Sequence, residues 1–253
     1  MGFINNMMKK LGYVPQSDLD ASQAQARALE SDLNAARAES CDLHNRMTGM
    51  QRELDLSRRD DLTGLGNKKR LDDVYQKLYV DDHLEGHALI MIDANNLKKV
   101  NDALEYDGGN TYLRHIAHSI SETFPDHVVM ARHGGDEYSV IIKATEEEAQ
   151  ALADQFEANV QENLCFHMED DTLYAIEGSA ASGVTALHNG MKLGGNGGAI
   201  EAATQKMQPH KDAMKAALKE SGHEAGMVRE ATGPEQEQFH AREQELFVNS
   251  LHK

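Results

Sequence analysis

A heptad pattern of apolar and small residues runs through the first part of the chain and limits what that part can form. After Pro15, the residues that repeat at alternating intervals of three and four are Leu19, Ser22, Ala26, Leu29, Leu33, Ala36, Ser40, Leu43, Met47, Met50, Leu54 and Ser57. A 3.5-residue period keeps one stripe of a helix facing a partner helix. Residues 17–58 therefore predict a coiled-coil dimerisation helix, although a single helix folded back on the next domain would show the same pattern.

The rest of the chain divides into three further parts. Residues 1–16 form a short amphipathic segment, because their apolar side chains recur at helical spacing. Residues 59–222 alternate apolar runs with helical patterns over a length typical of one domain, roughly 50–200 residues. Residues 223–253 are a polar tail, in which we predict helix only between about Glu235 and Leu251.

Composition argues against several classes of function. The chain has 42 acidic and 25 basic residues, for a formal net charge of −17, and no basic patch that would attract nucleic acid. The two cysteines, Cys41 and Cys165, lack metal-site spacing, which favours a reducing compartment. No window approaches the ~20 consecutive apolar residues of a transmembrane helix. We therefore expect a cytoplasmic protein without a transmembrane segment and without nucleic acid as a partner.

Apolar runs place three carboxylates at one end of a predicted sheet. Residues 87–94 contain a continuous apolar run of the buried-strand type, with Asp93 near its end. Two further runs flank the turn at residues 133–136 and predict a β-hairpin that carries Asp136 and Glu137. Carboxylates at a sheet edge suit Mg²⁺, which takes one or two of them together with water and substrate phosphates. Such a site suits phosphoryl transfer with two metal ions per active site. Acidic residues also occur in turns for hydrogen bonding alone, so the carboxylates by themselves leave both interpretations open.

The surrounding segments complete the predicted domain. We predict helices after the first strand to about Thr123, at residues 146–164 and at residues 198–221, and one or two strands within residues 172–186. The fold class is therefore α/β (α+β), with a mainly antiparallel sheet of about five strands flanked by helices and preceded by the coiled-coil helix.

Three motifs occur in order along this domain. Residues 60–69 read D-D-L-T-G-L-G-N-K-K, residues 93–102 read D-A-N-N-L-K-K-V-N-D, and residues 132–138 read R-H-G-G-D-E-Y. They resemble D-x-L-T-G-L-x-N-R-R, D-x-D-x-F-K-x-x-N-D and R-x-G-G-D-E-F, the motifs of the GGDEF diguanylate cyclase family. The resemblance covers residues 60–221 and implies the palm-like nucleotidyl-cyclase fold of that family.

The resemblance also implies an activity and its cofactors. Members of the family condense two GTP molecules into cyclic di-GMP across a homodimer, with Mg²⁺ or Mn²⁺ as cofactor. By this likeness, the metal positions are Asp93, the carbonyl of Ala94, Asp136 and Glu137. Glu137, Asp136 and Lys98 are the implied catalytic residues, and Glu137 assists in activating the 3′-hydroxyl.

Further positions correspond to the family's substrate contacts. Glycines allow the backbone to approach phosphates closely, and ammonium groups neutralise charge on departing pyrophosphate. The implied substrate-binding residues are Lys98, Lys211 and Lys215 for the phosphates, Gly134 and Gly135 for the backbone approach, and Asn101 and Asn110 for the base.

The base contact departs from the family at Asn110, where the family has an aspartate. A carboxylate accepts two hydrogen bonds from guanine, whereas an amide offers one acceptor and one donor, which matches adenine better. ATP is therefore a possible substrate, and a relaxed or adenine-using synthase of the cyclic GMP-AMP or cyclic di-AMP type is one alternative. In a second interpretation, Asn110 tolerates guanine while Glu105 or Asp107 replaces the carboxylate.

Two other departures bear on regulation and activity. The family's product-inhibition motif, Arg-x-x-Asp, is absent, because Pro125 and Val128 stand at its charged positions. A degenerate domain that binds a nucleotide and signals through the coiled coil without activity is a further alternative. Retention of Asp93, Asp136 and Glu137 argues against it.

Overall fold

A computed structural model of the chain describes residues 7, 11–12, 16–125, 127–221 and 228–250. Of residues 16, 215, 217–221 and 242–250 it describes the backbone alone. Most of the predicted amphipathic segment 1–16, residues 222–227 and 251–253, which include the start and the end of the predicted tail, and the side chain of Lys215 therefore lie outside the described residues. The chain separates into two compact units, Met1–Ser57 and Arg58–Lys253.

The first unit contains the predicted long helix, α1, which spans Gln16–Leu56. Its 41 residues correspond to a length of roughly 60 Å at ~1.5 Å per residue. All seven large apolar side chains of the heptad seam are exposed, by 41 to 69 %. A stripe of this kind on an isolated helix is left without apolar contacts. Within the described ranges, no helix has the length and apolar character needed to cross a membrane.

The second unit alternates strands and helices, as predicted. In chain order its elements are β1 (Gly66–Asn67), α2 (Lys68–Val80), β2 (Ala88–Ala94), α3 (Leu97–Thr123), β3 (Val129–Arg132), β4 (Glu137–Ile142), α4 (Glu146–Glu162), β5 (Cys165–Glu169), β6 (Thr172–Ile176), β7 (Ala180–Ala186), α5 (Ala199–Ser221), β8 (Val228–Glu230) and α6 (Gly233–Ser250).

Five strands form the main sheet in the order β1-β3-β4-β2-β7. All neighbouring pairs are antiparallel except β1 and β3, which are parallel. The predicted fold class, a mainly antiparallel five-stranded sheet flanked by helices and preceded by a long helix, is confirmed. The central strand β2 pairs with β4 on one side and with β7 on the other. This position explains why its sequence is a continuous apolar run.

Alternate residues of β2 enter two separate cores, because successive side chains of a strand point to opposite faces. Ile90 and Ile92 pack with apolar residues of α3 and α4. Leu89 and Met91 pack on the other face with residues of α2 and α5. Helix α5 lies so close to β7 that a Cβ on Gly183 would be 2.1 Å from the carbonyl oxygen of Ala203. The sheet is therefore covered by helices on both faces.

A second sheet, in the order β5-β6-β8, was not predicted. The sequence analysis places strands no earlier than residue 172 in this region and none after residue 222. The C-terminal strand β8 pairs with β6, and Phe239 of α6 packs against Phe166 of β5 with ring centroids 5.8 Å apart. Arg229 binds both carboxylate oxygens of Glu235 at 2.7 Å. Strand β5 has five residues and β8 has three, so both are too short to show a clear alternation of apolar and polar side chains.

Candidate active site

Three predicted site residues lie side by side at the end of the main sheet. Strand β2 carries Asp93, which is the register partner of Glu137 on β4. The next residue, Ala94, donates its backbone N–H to the carbonyl oxygen of Asp136 at 2.9 Å. The side chain of Asp93 is only 14 % exposed, whereas that of Glu137 is 50 % exposed. The hairpin turn thus brings its two carboxyl residues to the end of the central strand.

The buried carboxylate of Asp93 is paired with Lys211. The Nζ atom of Lys211 lies 2.7 Å from Oδ2 of Asp93, and its side chain is only 19 % exposed. Burial raises the pKa of Asp93, the Lys211 ammonium lowers it, and the charges of Asp136 and Glu137 raise it. The net effect is a raised pKa. This end of the sheet is therefore a site that attracts positive charge.

Arg132 holds the glycine turn in place and connects it to the first motif. Its guanidinium donates to the carbonyl oxygen of Gly135 at 2.7 and 3.2 Å and to both carboxylate oxygens of Asp60 at 3.2 Å. Asp60 also accepts from the backbone N–H and the hydroxyl of Thr63 at 2.9 and 2.7 Å. Burial acts to raise the pKa of Asp60, but its bonds to Thr63 and Arg132 bring it below the usual value. Two motifs 72 residues apart thus form one structural unit.

The two glycines of the turn have different surroundings. A Cβ on Gly134 would lie 2.5 Å from Oε2 of Glu137, whereas a Cβ on Gly135 would meet nothing within 4 Å. The backbone N–H groups of His133 and Gly134 both donate to the carbonyl oxygen of Glu137, at 3.1 and 3.4 Å. Gly134 therefore makes room for the Glu137 carboxylate, and Gly135 leaves open space beside Asp136.

A kink in α3 lies between the two residues predicted to read the base, Asn101 and Asn110. The helical conformation is interrupted at Leu104 and Glu105. A Cβ on Gly109 would lie only 1.8 Å from Oδ1 of Asn101, so the amide of Asn101 rests directly on the Gly109 backbone. The next residue is Asn110, and both asparagines are half-buried. The sequence analysis predicts a helix to about Thr123 and no kink; the Gly108-Gly109 pair was the available signal for the kink.

The remaining phosphate-binding candidates lie at two helices. Lys98 is exposed on the first turn of α3, directly after the loop that follows Asp93. The backbone of Lys215 lies one turn beyond Lys211 on α5, and its side chain is outside the described part of the chain. The structure thus gathers Asp93, Asp136, Glu137 and Lys211 at one point and places Lys98 on the adjoining helix.

The sequence analysis missed a buried hydroxyl close to this site, that of Tyr112. Tyr112 of α3 is fully buried, and its hydroxyl contacts the carbonyl oxygens of Asn95 and Ser179 and the backbone N–H of Ser179. The sequence showed only a tyrosine on the apolar face of a helix. Buried tyrosines usually find a hydrogen-bond partner, but the partner itself cannot be read from periodicity.

The oxygen donors here suit a hard divalent cation that binds together with a substrate. Within the described residues, no group of three or more His, Cys, Asp or Glu side chains is arranged to hold a metal ion. Mg²⁺ commonly takes one or two protein carboxylates and completes its shell with water and phosphates. The Lys211 ammonium already occupies a cation's place against Asp93. Asp93, Asp136 and the Ala94 carbonyl, with Glu137 beside them, therefore fit Mg²⁺ or Mn²⁺.

Comparison with curated proteins gives partial matches. The chain is 30% identical over 110 residues to the cyclic di-GMP phosphodiesterase NbdA of Pseudomonas aeruginosa, a match that covers 42% of this chain and 14% of NbdA. It is 29% identical over 129 residues to an uncharacterised membrane protein of Staphylococcus epidermidis, covering 49% of this chain and 35% of that protein. The chain therefore spans about a third or less of the length of these relatives.

Solved structures share the fold over more of the chain. The diguanylate cyclase SiaD of Pseudomonas aeruginosa, solved in complex with its activator SiaC, superposes with a TM-score of 0.61 at 21% identity, covering 84% of this chain and 79% of SiaD. The coiled coil and GGDEF domain of DgcB from Caulobacter crescentus, in complex with c-di-GMP, gives 0.50 at 21% identity, covering 77% of this chain and 96% of that one. At these identities the likeness is one of fold.

A family model decides the assignment. Residues 57–217, more than half of the chain, match the model described as diguanylate cyclase, GGDEF domain. The matched range includes the three motifs, the five-stranded sheet and the carboxylates at its end. This chain belongs to the GGDEF family of diguanylate cyclase domains.

Proposed function

We propose that the chain is a diguanylate cyclase, which condenses two GTP molecules into cyclic di-GMP and releases two pyrophosphates. The observation that carries the proposal is the convergence of Asp93, Asp136 and Glu137 with the ammonium of Lys211 at one end of the sheet. Such a site combines anionic donors for metal ions with a cation for phosphates. Consumption of GTP agrees with the cytoplasmic location that composition predicts.

Asp93, Asp136, Glu137 and the carbonyl of Ala94 would hold two divalent ions. Two metal ions supply activation of the attacking hydroxyl and stabilisation of the leaving oxygen in an in-line displacement. The partial burial of Asp93 supports this role, because the attraction between a carboxylate and a cation is stronger where water is partly excluded. The exposed side of the turn at Gly135 leaves room for the phosphates.

Lys211 changes partners in this mechanism. In the structure its ammonium is paired with the carboxylate of Asp93. With a divalent ion held by Asp93, the Lys211 ammonium would be free to bind the β- and γ-phosphates, together with Lys98 and Lys215. The exchange keeps the buried carboxylate paired throughout, which matters because an unpaired buried charge is costly.

Glu137 is the group that accepts the proton of the 3′-hydroxyl. Its carboxylate is half exposed and lies next to Asp93, so a nucleotide held by a facing domain can reach it. The 3′-oxygen then forms a bond to the α-phosphorus of the opposite nucleotide. The bond between the α- and β-phosphates breaks, and pyrophosphate leaves with its charge neutralised by Lys211.

The reaction needs two copies of the domain, because each supplies one nucleotide. The exposed seam of α1 supports a homodimer, since a coiled coil would bury the seven apolar side chains that one copy leaves in water. Two nucleotide-loaded domains facing each other across a two-fold axis would complete both bonds of the cyclic product.

A cyclase with relaxed base choice is the second candidate, and the amide pair favours it. The amide of Asn101 lies against the backbone of Gly109, the residue before Asn110, where the family uses an amide and a carboxylate. An amide at residue 110 accepts only one of the two guanine donors and offers a donor of its own. ATP would then compete with GTP at this position.

Product analysis distinguishes these functions. Purified protein is incubated with Mg²⁺ and GTP, ATP or an equal mixture, and the products are identified by mass. Cyclic di-GMP alone supports the first proposal, and mixed or adenine products support the second. Asp136→Ala should remove product formation without loss of fold, whereas Asp154→Asn, an exposed change on α4, should retain it. Nucleotide binding without any product would show a degenerate module and refute both.

A further inference from the structure

The backbone that follows Asp93 leaves the sheet and is held by contacts on both sides. On the β4 side, Ala94 donates to Asp136 at 2.9 Å. On the β7 side, the backbone N–H of Asn95 donates to the carbonyl oxygen of Ser179 at 2.9 Å, and the Asn95 amide donates to the Ser179 hydroxyl at 3.1 Å. The chain then turns through Asn96, which has the left-handed conformation at φ 62°, into α3. This turn joins the metal candidates to the helix of the base-reading amides.

The hydroxyl of Tyr112, on α3, hydrogen-bonds to both Asn95 and Ser179. It lies 3.1 Å from the carbonyl oxygen of Asn95 and 2.8 Å from that of Ser179, so its proton is available to both. It also accepts from the backbone N–H of Ser179 at 3.0 Å. Burial raises the pKa of Tyr112, and the hydroxyl therefore stays protonated and able to donate. One side-chain atom thus joins three backbone groups from two separate loops.

The backbone groups that Tyr112 contacts belong to residues on both sides of the proposed metal site. Asn95 follows Ala94, whose carbonyl is a proposed metal donor, and Ser179 precedes Ala180, the register partner of Ala94 on β7. Tyr112 itself lies two residues after Asn110 on the same helix. Movement of the Tyr112 hydroxyl would therefore shift the metal donors relative to the base-reading amides.

We propose that Tyr112 is a positioning residue for the metal–nucleotide complex. It acts through the backbone of Asn95 and Ser179 and sets the Ala94 carbonyl at a fixed place relative to Asn110. The role rests on the proposed function, since it serves the same site. Residues that orient metal ligands in this way typically change metal affinity or activity by about 10–100-fold when they are replaced.

Tyr138 provides a matched control. It is also fully buried, and its hydroxyl donates to the carbonyl oxygen of Leu113 at 2.9 Å, in the middle of α3. Tyr112→Phe and Tyr138→Phe each remove one buried hydroxyl and one or more hydrogen bonds. Only Tyr112→Phe releases the turn beside Asp93. A purely structural role would affect both variants alike.

The test measures binding affinity, because binding of a ligand can be measured without turnover. The ligand is Mn²⁺ with a GTP analogue that carries a methylene bridge between its α- and β-phosphates, titrated into the full chain by calorimetry. We expect Tyr112→Phe to bind this complex about tenfold or more weakly than wild type, with Tyr138→Phe within about twofold. Both variants should unfold at somewhat lower temperatures, and titrations are made well below both transitions.

Ser179→Ala is a second variant, which tests the proposal even if Tyr112→Phe does not fold. It removes the hydroxyl that accepts from the Asn95 amide but leaves the backbone bonds intact, and we expect a smaller loss of affinity, about threefold, as one of several anchors of the turn is lost. Wild-type affinity in both Tyr112→Phe and Ser179→Ala would overturn the inference while leaving the proposed function in place. Absence of binding by the wild-type protein would overturn the proposed function and this inference with it.

Discussion

Lys211 and Asp93 form an ion pair that a metal ion would have to break. The two side chains are 19 and 14 % exposed, so solvent screens their attraction less than at an open surface. A divalent cation that approaches Asp93 alone meets the ammonium as a competitor. Metal and nucleotide are therefore expected to bind together, because the triphosphate offers Lys211 a new partner.

Replacement of Lys211 should separate metal binding from nucleotide binding. In Lys211→Met, the competing charge at Asp93 is gone, so Mn²⁺ without nucleotide should bind several-fold more tightly, and GTP should bind at least tenfold more weakly because a charge-assisted contact is lost. Lys98→Met is the control: Lys98 is exposed and should affect only GTP. Titration of each ligand separately measures both effects. Weaker Mn²⁺ binding in Lys211→Met would contradict the proposal that Lys211 leaves Asp93 when metal and nucleotide bind.

At the scale of the elements, the kink of α3 is the feature that determines where the amides lie. Glu105 has φ 52° and ψ −162°, a region that is almost restricted to glycine. Gly108 is required nearby, since a Cβ there would lie 2.2 Å from Cβ of Leu104. Backbone geometry thus favours glycine at this position, and this chain carries a strained Glu105 there.

Glu105→Gly should stabilise the protein. Relief of a strained conformation contributes about 1–3 kcal/mol, from which the greater freedom of glycine in the unfolded chain removes about 0.5–1 kcal/mol. The net gain of about 1 kcal/mol corresponds to a rise in Tm of roughly 2–4 °C for a domain of this size. Glu105→Ala retains Cβ and should show no gain. Thermal unfolding of the three proteins gives the comparison, and equal Tm values for the glycine and alanine variants would rule out strain at this residue.

The second sheet shows how the region beyond the family match contributes to the domain. Strand β8 pairs with β6, and Ala231 and Phe239 pack on Leu173 and Phe166 of the β5–β6 hairpin. On its other side, His167 of β5 hydrogen-bonds with Thr111 of α3 at 3.1 Å, next to Asn110. The C-terminal strand and helix therefore support a hairpin that contacts α3 beside Asn110, a residue predicted to read the base.

For the whole molecule, we predict that residues 17–57 control activity by controlling dimer formation. Joining two domains at one coil turns their encounter into an intramolecular event, with effective concentrations that reach the millimolar range for short connections. A chain that starts at Arg58, the first residue of the second unit, should be largely monomeric at low concentration. Its specific activity should rise with protein concentration, whereas that of the full chain should be flat above its dimer dissociation constant.

Charged residues in the seam should have the same effect as this truncation. Leu29→Glu with Leu43→Glu places charges at two seam positions, while Ser31→Glu with Asn45→Glu adds the same charges on the opposite face of the heptad. Sedimentation and turnover are measured on the same samples. A monomeric full chain with full activity, or equal loss in both double variants, would exclude dimer control through the coil.

Periodicity and the order of the motifs were enough to predict several elements of this protein and its family. The heptad seam determined α1, the continuous apolar run determined the central strand with Asp93, and the glycine turn determined the β3–β4 hairpin with Asp136 and Glu137. These are local signals, because side-chain spacing of 3.5 or 2 residues follows directly from backbone geometry. The order of the motifs was sufficient to indicate the family that the match over residues 57–217 established.

Only the tertiary structure decided which distant residues meet. Lys211 is 118 positions from Asp93, and the hydroxyl of Tyr112 contacts a backbone 67 residues further along the chain. The kink at Glu105 and the short strands β5 and β8 also have no clear periodic signal. In each case the conformation is stabilised by burial and hydrogen bonding between segments that are remote in sequence, and local propensity contains no information about such partners.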